Sequence, residues 1–223
     1  MQSEDEIVII SIVAKRNSDS CYLNLGNGES LLLNLDIITN FFLSKGKKIT
    51  QETLEILVKE QRKIEVRKAA YRFASYKPRS IFQIKQKLKE KGFSAEEAEL
   101  ATNFLKNFGL LNDMRFAENF IKNKAKTKNF GISRIKIELK RAGIADELID
   151  QYLREFYPIE NTMDLARAAT NKKMKLLQNK PKEKQKNSLI QFLARQGFGW
   201  DIIKKIVAEI FNSDDYFNSD EHF

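Results

Sequence analysis

Three basic segments of this chain each close on a glycine followed by a large apolar residue: Leu88-Lys89-Glu90-Lys91-Gly92-Phe93, Leu139-Lys140-Arg141-Ala142-Gly143-Ile144 and Leu193-Ala194-Arg195-Gln196-Gly197-Phe198. The glycines are 51 and 54 residues apart, a period that marks a helical array whose members bury apolar faces against their neighbours. Gly109-Leu110-Leu111-Asn112-Asp113-Met114-Arg115-Phe116-Ala117 joins the first two copies. A repeated basic helical unit of this kind suits the binding of something long.

Local patterns define the unit. Val66, Ala70 and Phe73 share a helical face before Lys77-Pro78-Arg79 breaks the helix, because proline forces its predecessor out of the α region. Ser80 with Gln83 is a capping-box pair, and Ile81, Ile84 and Leu88 form the apolar stripe that ends at Gly92. Ser94 with Glu97 opens a third helix whose inner face reads Ala98, Ala101, Leu105 and Phe108. The second copy runs through Phe116, Phe120 and Ile121, then Ile135 and Leu139, then Leu148, Ile149, Tyr152 and Phe156. The third runs through Leu165, Ala168 and Ala169, then Leu189 and Leu193, then Ile202, Ile203, Ile206 and Ile210. Phe73, Phe93, Phe104, Phe108, Phe116 and Phe120 read as core, whereas Tyr76, Phe130 and Trp200 lie near breaks where a base or a partner side chain can stack.

The first 45 or so residues differ. Ile7-Val8-Ile9-Ile10 and Ile12-Val13 are β-branched, Cys21 to Leu25 alternates, and Gly26-Asn27-Gly28 leads into Ser30 to Leu35. Asn-Gly between two such runs signals a hairpin in which both residues accept positive φ. The pattern predicts a three-stranded antiparallel sheet, a short helix from Asp36 to about Leu43 ended by Ser44 to Lys48, and a further helix from Thr50. The expected fold is therefore mainly α: three tandem three-helix repeats in an elongated array (residues 61–111, 112–160 and 161–213), preceded by a β-rich extension (1–60) and followed by a disordered acidic tail (214–223).

Charge is divided along the chain. Residues 1–60 carry −3, residues 61–210 carry +16 and residues 211–223 carry −4, so the positive field belongs to the repeats and can attract a polyanion. Helical spacing leaves several cations off the core. They are Arg79, Lys85, Lys89 and Lys91 in the first repeat, and Lys122, Lys124, Lys126, Lys128, Arg134, Lys136, Lys140 and Arg141 in the second. Lys172, Lys173, Lys175, Lys182, Lys184 and Lys186 follow in the third. For each run a solvated helix face stands beside direct contact with a partner or DNA. Arg115, at the third position of a helix capped by Asn112, can fork onto a carboxylate or phosphate or clamp one repeat to the next.

Other chemistries find little support. The single cysteine, Cys21, excludes an internal disulfide and a Cys-rich zinc site, and the only histidine is His222. Gly46-Lys47-Lys48 lacks the glycine pattern of a phosphate loop, and the carboxylates sit at surface-pair spacings from lysines. No catalytic residue, metal or cofactor is expected. The acidic start and the absence of a long apolar run predict a cytoplasmic protein without a membrane span.

Five ordered motifs carry a family resemblance: Tyr76 to Ser80, Leu88 to Phe93, Gly109 to Ala117, Glu138 to Ile144 and Phe192 to Phe198. Over residues 61–210 the chain resembles the RecX family of regulators of the RecA recombinase, and residues 7–60 resemble the β-rich extension of longer members. Leu111-Asn112-Asp113 departs from the family's usual Leu-Asp-Asp yet still supplies a helix cap. The resemblance implies a monomeric, non-enzymatic protein that binds RecA and RecA–single-stranded DNA filaments. It further implies restraint of strand exchange, ATP hydrolysis and co-protease activity. A helical repeat that binds nucleic acid without RecA is the alternative, and a basic protein on a membrane surface is a third.

Overall fold

The computed structural model describes residues 6–211, so the predicted acidic tail and His222 lie outside the described residues. Four strands, β1 (Ile7–Ala14), β2 (Ser20–Leu25), β3 (Ser30–Asn34) and β4 (Lys48–Ile49), form an antiparallel sheet in the order β3-β2-β1-β4. The helices are α1 (Leu35–Asn40), α2 (Gln51–Tyr76), α3 (Ile81–Glu90), α4 (Ala95–Asn107) and α5 (Asp113–Lys128), then α6 (Ile132–Arg141), α7 (Asp146–Phe156), α8 (Thr162–Lys175), α9 (Lys182–Gln196) and α10 (Trp200–Phe211). The chain divides into two compact units: residues up to Lys77 with Ile84–Leu110, and Pro78–Gln83 with Leu111 onward.

In the first unit, Ile9, Leu23, Leu25, Leu33 and Ile49 of the sheet close over Ile37, Leu43, Leu54 and Leu57. The sheet has one strand more than the pattern predicts. Gly46 adopts φ +84, and the segment read as the end of a helix turns back so that Lys48 and Ile49 pair with Val8 and Ile7. The hairpin also differs. Only Gly28 takes positive φ, while Asn27 uses its side chain, Oδ1 accepting from the Glu29 N–H at 3.0 Å, so the tight two-residue turn becomes a three-residue loop. The helix expected from Thr50 forms as α2 with Thr50 as its cap, and it runs unbroken through residue 60, supplying Leu54 and Leu57 to the sheet core and burying Val66 and Ala70 farther on. Its Arg62 reaches α4, with Nε 2.7 Å from Glu97 Oε1, the guanidinium 4.3 Å from the Phe93 ring centre and Nη2 donating to Gly92 O at 2.7 Å.

The repeated glycines turn the chain in the left-handed conformation at the C-terminal ends of α3, α6 and α9. Gly92, Gly143 and Gly197 have φ of +81, +77 and +87. After each, the N–H of Phe93, Ile144 or Phe198 donates at 3.2 Å to the carbonyl of Leu88, Leu139 or Leu193, respectively. The three leucines are fully buried, so the sequence repeat is a Schellman closure with its accompanying apolar contact, written three times. The capping boxes at Ser80–Gln83 and Ser94–Glu97 and the Asn112 cap on the Arg115 N–H form as predicted.

Within the second unit the C-caps also receive the next-earlier middle helix. Gly131 N–H donates to Gln196 O at 2.8 Å and Ser133 N–H to Gly197 O at 3.2 Å, which satisfies donors at the start of α6 that no side chain caps. The same positions one repeat earlier do the same work: Ser80 Oγ donates to Ala142 O, and the Phe82 side chain occupies the space a Cβ on Gly143 would need. Apolar clusters fill this unit, one around Ile121, Ile135, Leu139 and Ile149, another around Leu189, Leu193, Ile203 and Ile206.

Four apolar expectations change. Phe108 is 66% exposed because it is the C-cap of α4, just before Gly109 turns the chain at φ +66, and Leu111 is buried instead. Phe130 is only 8% exposed, since Asn129, in the left-handed conformation at φ +52, folds the chain back over α5. Leu148 and Ile210 face solvent at the edges of their helices, where Val207 rather than Ile210 closes the last cluster.

Replacing Gly131 with alanine would bring a Cβ to 2.2 Å from Gly197 O. Because the atoms it would meet are backbone and cannot swing aside, the expected loss is about 1–3 kcal/mol in chemical denaturation. Gly26→Ala, whose nearest neighbour would be Val8 O at 3.5 Å, should cost less than about 1 kcal/mol.

Candidate functional site

The cations of the repeats separate into three physical groups. The first is paired with carboxylates. Lys85 meets Glu99, Lys122 meets Glu118 at 2.7 Å, Lys136 meets Asp150 at 2.6 Å and Lys140 meets Asp146 at 2.6 Å. Hydrogen bonds from Lys85 and Lys136 hold the Glu99 and Asp150 carboxyls below their ordinary values, and Asp146 raises the Lys140 ammonium above its own. These pairs are solvent-exposed and contribute little to stability.

The second group is built into the scaffold by aromatic rings. Lys124 lies 5.0 Å from the Phe120 ring centre and 5.4 Å from that of Phe130, with Nζ 3.1 Å from Glu138. Arg134 covers Phe130 at 4.1 Å, shares Glu138 at 3.5 Å and donates from Nη1 to Arg195 O at 3.1 Å. Phe130 is thus held between two cations rather than open for stacking, and its carbonyl accepts from the Tyr157 hydroxyl at 3.1 Å. Burial pushes that phenol up to about 12. Lys91 over Phe73 at 5.4 Å and Lys173 over Phe192 at 5.5 Å belong to the same class. Tyr76 and Trp200 are exposed, and Lys204 Nζ lies 5.9 Å from the Trp200 ring centre.

The third group consists of Lys89, Arg115, Lys126, Lys128, Arg141, Lys172, Lys175, Lys182 and Lys184, which are exposed and make no ion pair among the described residues. Arg115 therefore clamps nothing within the described residues. Arg79 is half-buried, its Nε without a hydrogen-bond partner among the described residues. Lys186 is engaged by a neighbour.

Helix electrostatics sorts this third group further. Lys89, Lys126, Lys128, Arg141, Lys172 and Lys175 occupy last turns of α3, α5, α6 and α8, where a cation stabilises the negative end of the helix dipole. Lys182 and Lys184 do the reverse. They open α9, whose N-cap is Pro181 without a side-chain hydrogen bond, so their charge opposes the positive end of that dipole. Helix stability accounts for the former set, and neither for the latter pair nor for Arg115, which lies in the first turn of α5.

Arg195 is a cation that the periodic reading used only as part of a motif. It shares a shallow groove with Arg141, Ile137 and Ser133, and it stands two residues before Gly197 as Arg141 stands two before Gly143. Aligning the repeats on their glycines is the signal that identifies it. Among the described residues no cluster of His, Cys, Asp or Glu is placed to hold a metal ion, and no helix is long and apolar enough to cross a membrane.

Comparison with known proteins follows the same threefold division. Models of the first, second and third three-helix domains of RecX match residues 67–105, 112–153 and 160–207. The regulatory protein RecX of Bacillus licheniformis is 30% identical over 210 residues, spanning 92% of this chain and 76% of that one. The regulatory protein RecX of Clostridium botulinum strain Eklund 17B is 27% identical over 206 residues, 92% and 96% of the two chains. A crystal structure of regulatory protein RecX superposes with a TM-score of 0.67 at 22% identity, covering 90% of this chain and 98% of that one. RecX from Lactobacillus salivarius gives 0.57 at 24% identity, with 66% and 96% covered. At these identities the two structures support the fold.

Lys124 and Lys128 separate scaffold from surface. Lys124→Ala should lower stability by roughly 1–2 kcal/mol, losing two ring contacts and leaving Glu138 with only the longer Arg134 contact. Lys128→Ala should change it by less than about 0.5 kcal/mol in the same urea titration.

Proposed function

We propose, from the premise that this chain belongs to the RecX family, that it is a non-enzymatic regulator that binds RecA and RecA–single-stranded DNA filaments and inhibits their recombinase, ATPase and co-protease activities. In this reading it works as a cytoplasmic monomer. Contact with RecA supplies specificity, and the unpaired cations supply attraction to the DNA and to acidic protein surface.

The observation that carries the reading is the pair Lys182 and Lys184. Two unpaired lysines at the start of a helix oppose its dipole, so a fold selected for stability alone gains nothing from them. A polyanionic target repays that cost. Lys128 and Arg141 add charge from α5 and α6 without any acidic partner among the described residues. Lys124 and Arg134, fixed over Phe130, serve this reading as scaffold that keeps the surrounding cations in place.

The test is RecA ATPase and strand exchange on single-stranded DNA, with RecA from the same organism, at two salt concentrations. Inhibition is expected at substoichiometric protein and should weaken as salt rises. Reversing Lys128, Arg141, Lys182 and Lys184 to glutamate should weaken filament binding by about tenfold or more with helix content unchanged. Lack of any effect on RecA, together with tight salt-dependent binding to bare DNA, would establish the nucleic-acid-binding alternative instead.

A further inference from the structure

The sheet of the first unit ends on an open edge. Strand β3 is terminal in the order β3-β2-β1-β4, and its bonds to β2 are bracketed by Leu25 N–H to Glu29 O at 2.9 Å and Leu35 N–H to Asp19 O at 2.8 Å. Antiparallel pairs alternate between bonded and non-bonded. Leu31 and Leu33, opposite Leu23 and Cys21, therefore turn their backbone groups toward β2, and Ser30, Leu32 and Asn34 turn theirs outward. The outward N–H of Asn34 is taken by Gln61 Oε1 at 2.8 Å. Those of Ser30 and Leu32 have no partner among the described residues.

Apolar surface flanks this edge on both faces. On the inner face a hollow opens between β3 and α2, lined by Leu31, Leu54 and Val58 together with Glu29, Glu55 and Lys59, and Glu55 makes no ion pair among the described residues. On the outer face Val13, Tyr22 and Leu32 are consecutive cross-strand neighbours, exposed at 50%, 40% and 36%. That row stops at Leu32, on the terminal strand of the sheet.

The geometry points to strand addition: the β3 edge receives an extended segment of a partner polypeptide. Backbone donors and acceptors two residues apart match an extended chain and no helix. Side chains of an added strand alternate between faces, one entering the hollow against Leu31, Leu54 and Val58, the next extending the Val13–Tyr22–Leu32 row. The segment is thus apolar on both faces at its centre, and Glu29 and Glu55, which outnumber Lys59 around the hollow, favour a lysine or arginine beside it. This surface belongs to the first unit and stands independently of the regulatory reading.

The probe is a fluorescein-labelled eight-residue peptide with a central Val-Ile-Val flanked by lysines, titrated into the full chain by anisotropy, and a counterpart with glutamates in place of the lysines. The basic peptide should bind about tenfold more tightly than the acidic one, and Glu55→Lys should reverse the preference. Leu32→Pro deletes only an outward N–H, a change edge strands tolerate. It should weaken binding about tenfold, whereas Leu32→Ala should change it less than about threefold. Circular dichroism checks that the proline variant is folded; if it is not, slowed amide exchange at Ser30 and Leu32 of the parent protein on peptide binding decides. Absence of binding, or equal affinity for the parent and the folded proline variant, overturns the proposal. A dimer that the proline variant dissolves and the peptide cannot displace also overturns it, assigning the edge to a second copy of this chain.

Discussion

The left-handed glycine that closes each middle helix is the constraint on which the rest of the helical region depends. At Gly92, Gly143 and Gly197 a positive φ lets the following N–H return to a leucine carbonyl, which drops Phe93, Ile144 or Phe198 back toward the core. A side chain at these positions would meet the steric penalty of that conformation. At Gly143 and Gly197 it would also collide with Phe82 and Arg134, respectively. The same turn presents the carbonyls of Ala142, Gln196 and Gly197 to the Ser80 hydroxyl and to the N–H groups of Gly131 and Ser133. One backbone conformation thus ends a helix, seals a cluster and satisfies donors at the start of another helix.

Charge placement follows from that architecture. A helix of ten residues, such as α3 or α6, has little interior, so a large share of its surface positions lie in a terminal turn where the dipole acts. Cations accumulate at C-terminal turns for reasons of stability, and a basic composition alone therefore overstates how many of them face a partner. The cations left after carboxylates, rings and helix ends are subtracted are few. They are better guides to recognition than the dense runs in which they sit.

What was legible in the sequence was local. Caps at Ser80, Ser94 and Asn112 and glycine stops at 92, 143 and 197 depend on residues within five positions of each other, and each forms as its pattern requires. The fourth strand was not legible, because two residues, Lys48 and Ile49, carry no alternation and pair only through the distant β1. Phe108 and Phe130 exchange the roles their periodicity suggests, since each lies where a helix ends and a single left-handed residue beside it redirects the chain. Within the candidate site, residue type identified the cations, but partners 14 residues away, as in Lys136–Asp150 and Lys85–Glu99, decide which are already satisfied.

Phe130 shows how a stacking residue can be diverted to scaffold. Its ring lies between Lys124 and Arg134, both tied to Glu138, and its carbonyl accepts the Tyr157 hydroxyl. A nucleobase would have to displace a guanidinium that also donates to Arg195 O, breaking a network whose members hold one another. The energetic advantage of such a network is order rather than attraction: it spares the neighbouring cations the entropy of being positioned when a partner arrives. Lysines on an unsupported loop would carry the same charge and lose more freedom on binding. In this fold the buried aromatic and the exposed charge are therefore parts of one device, the first fixing where the second can act.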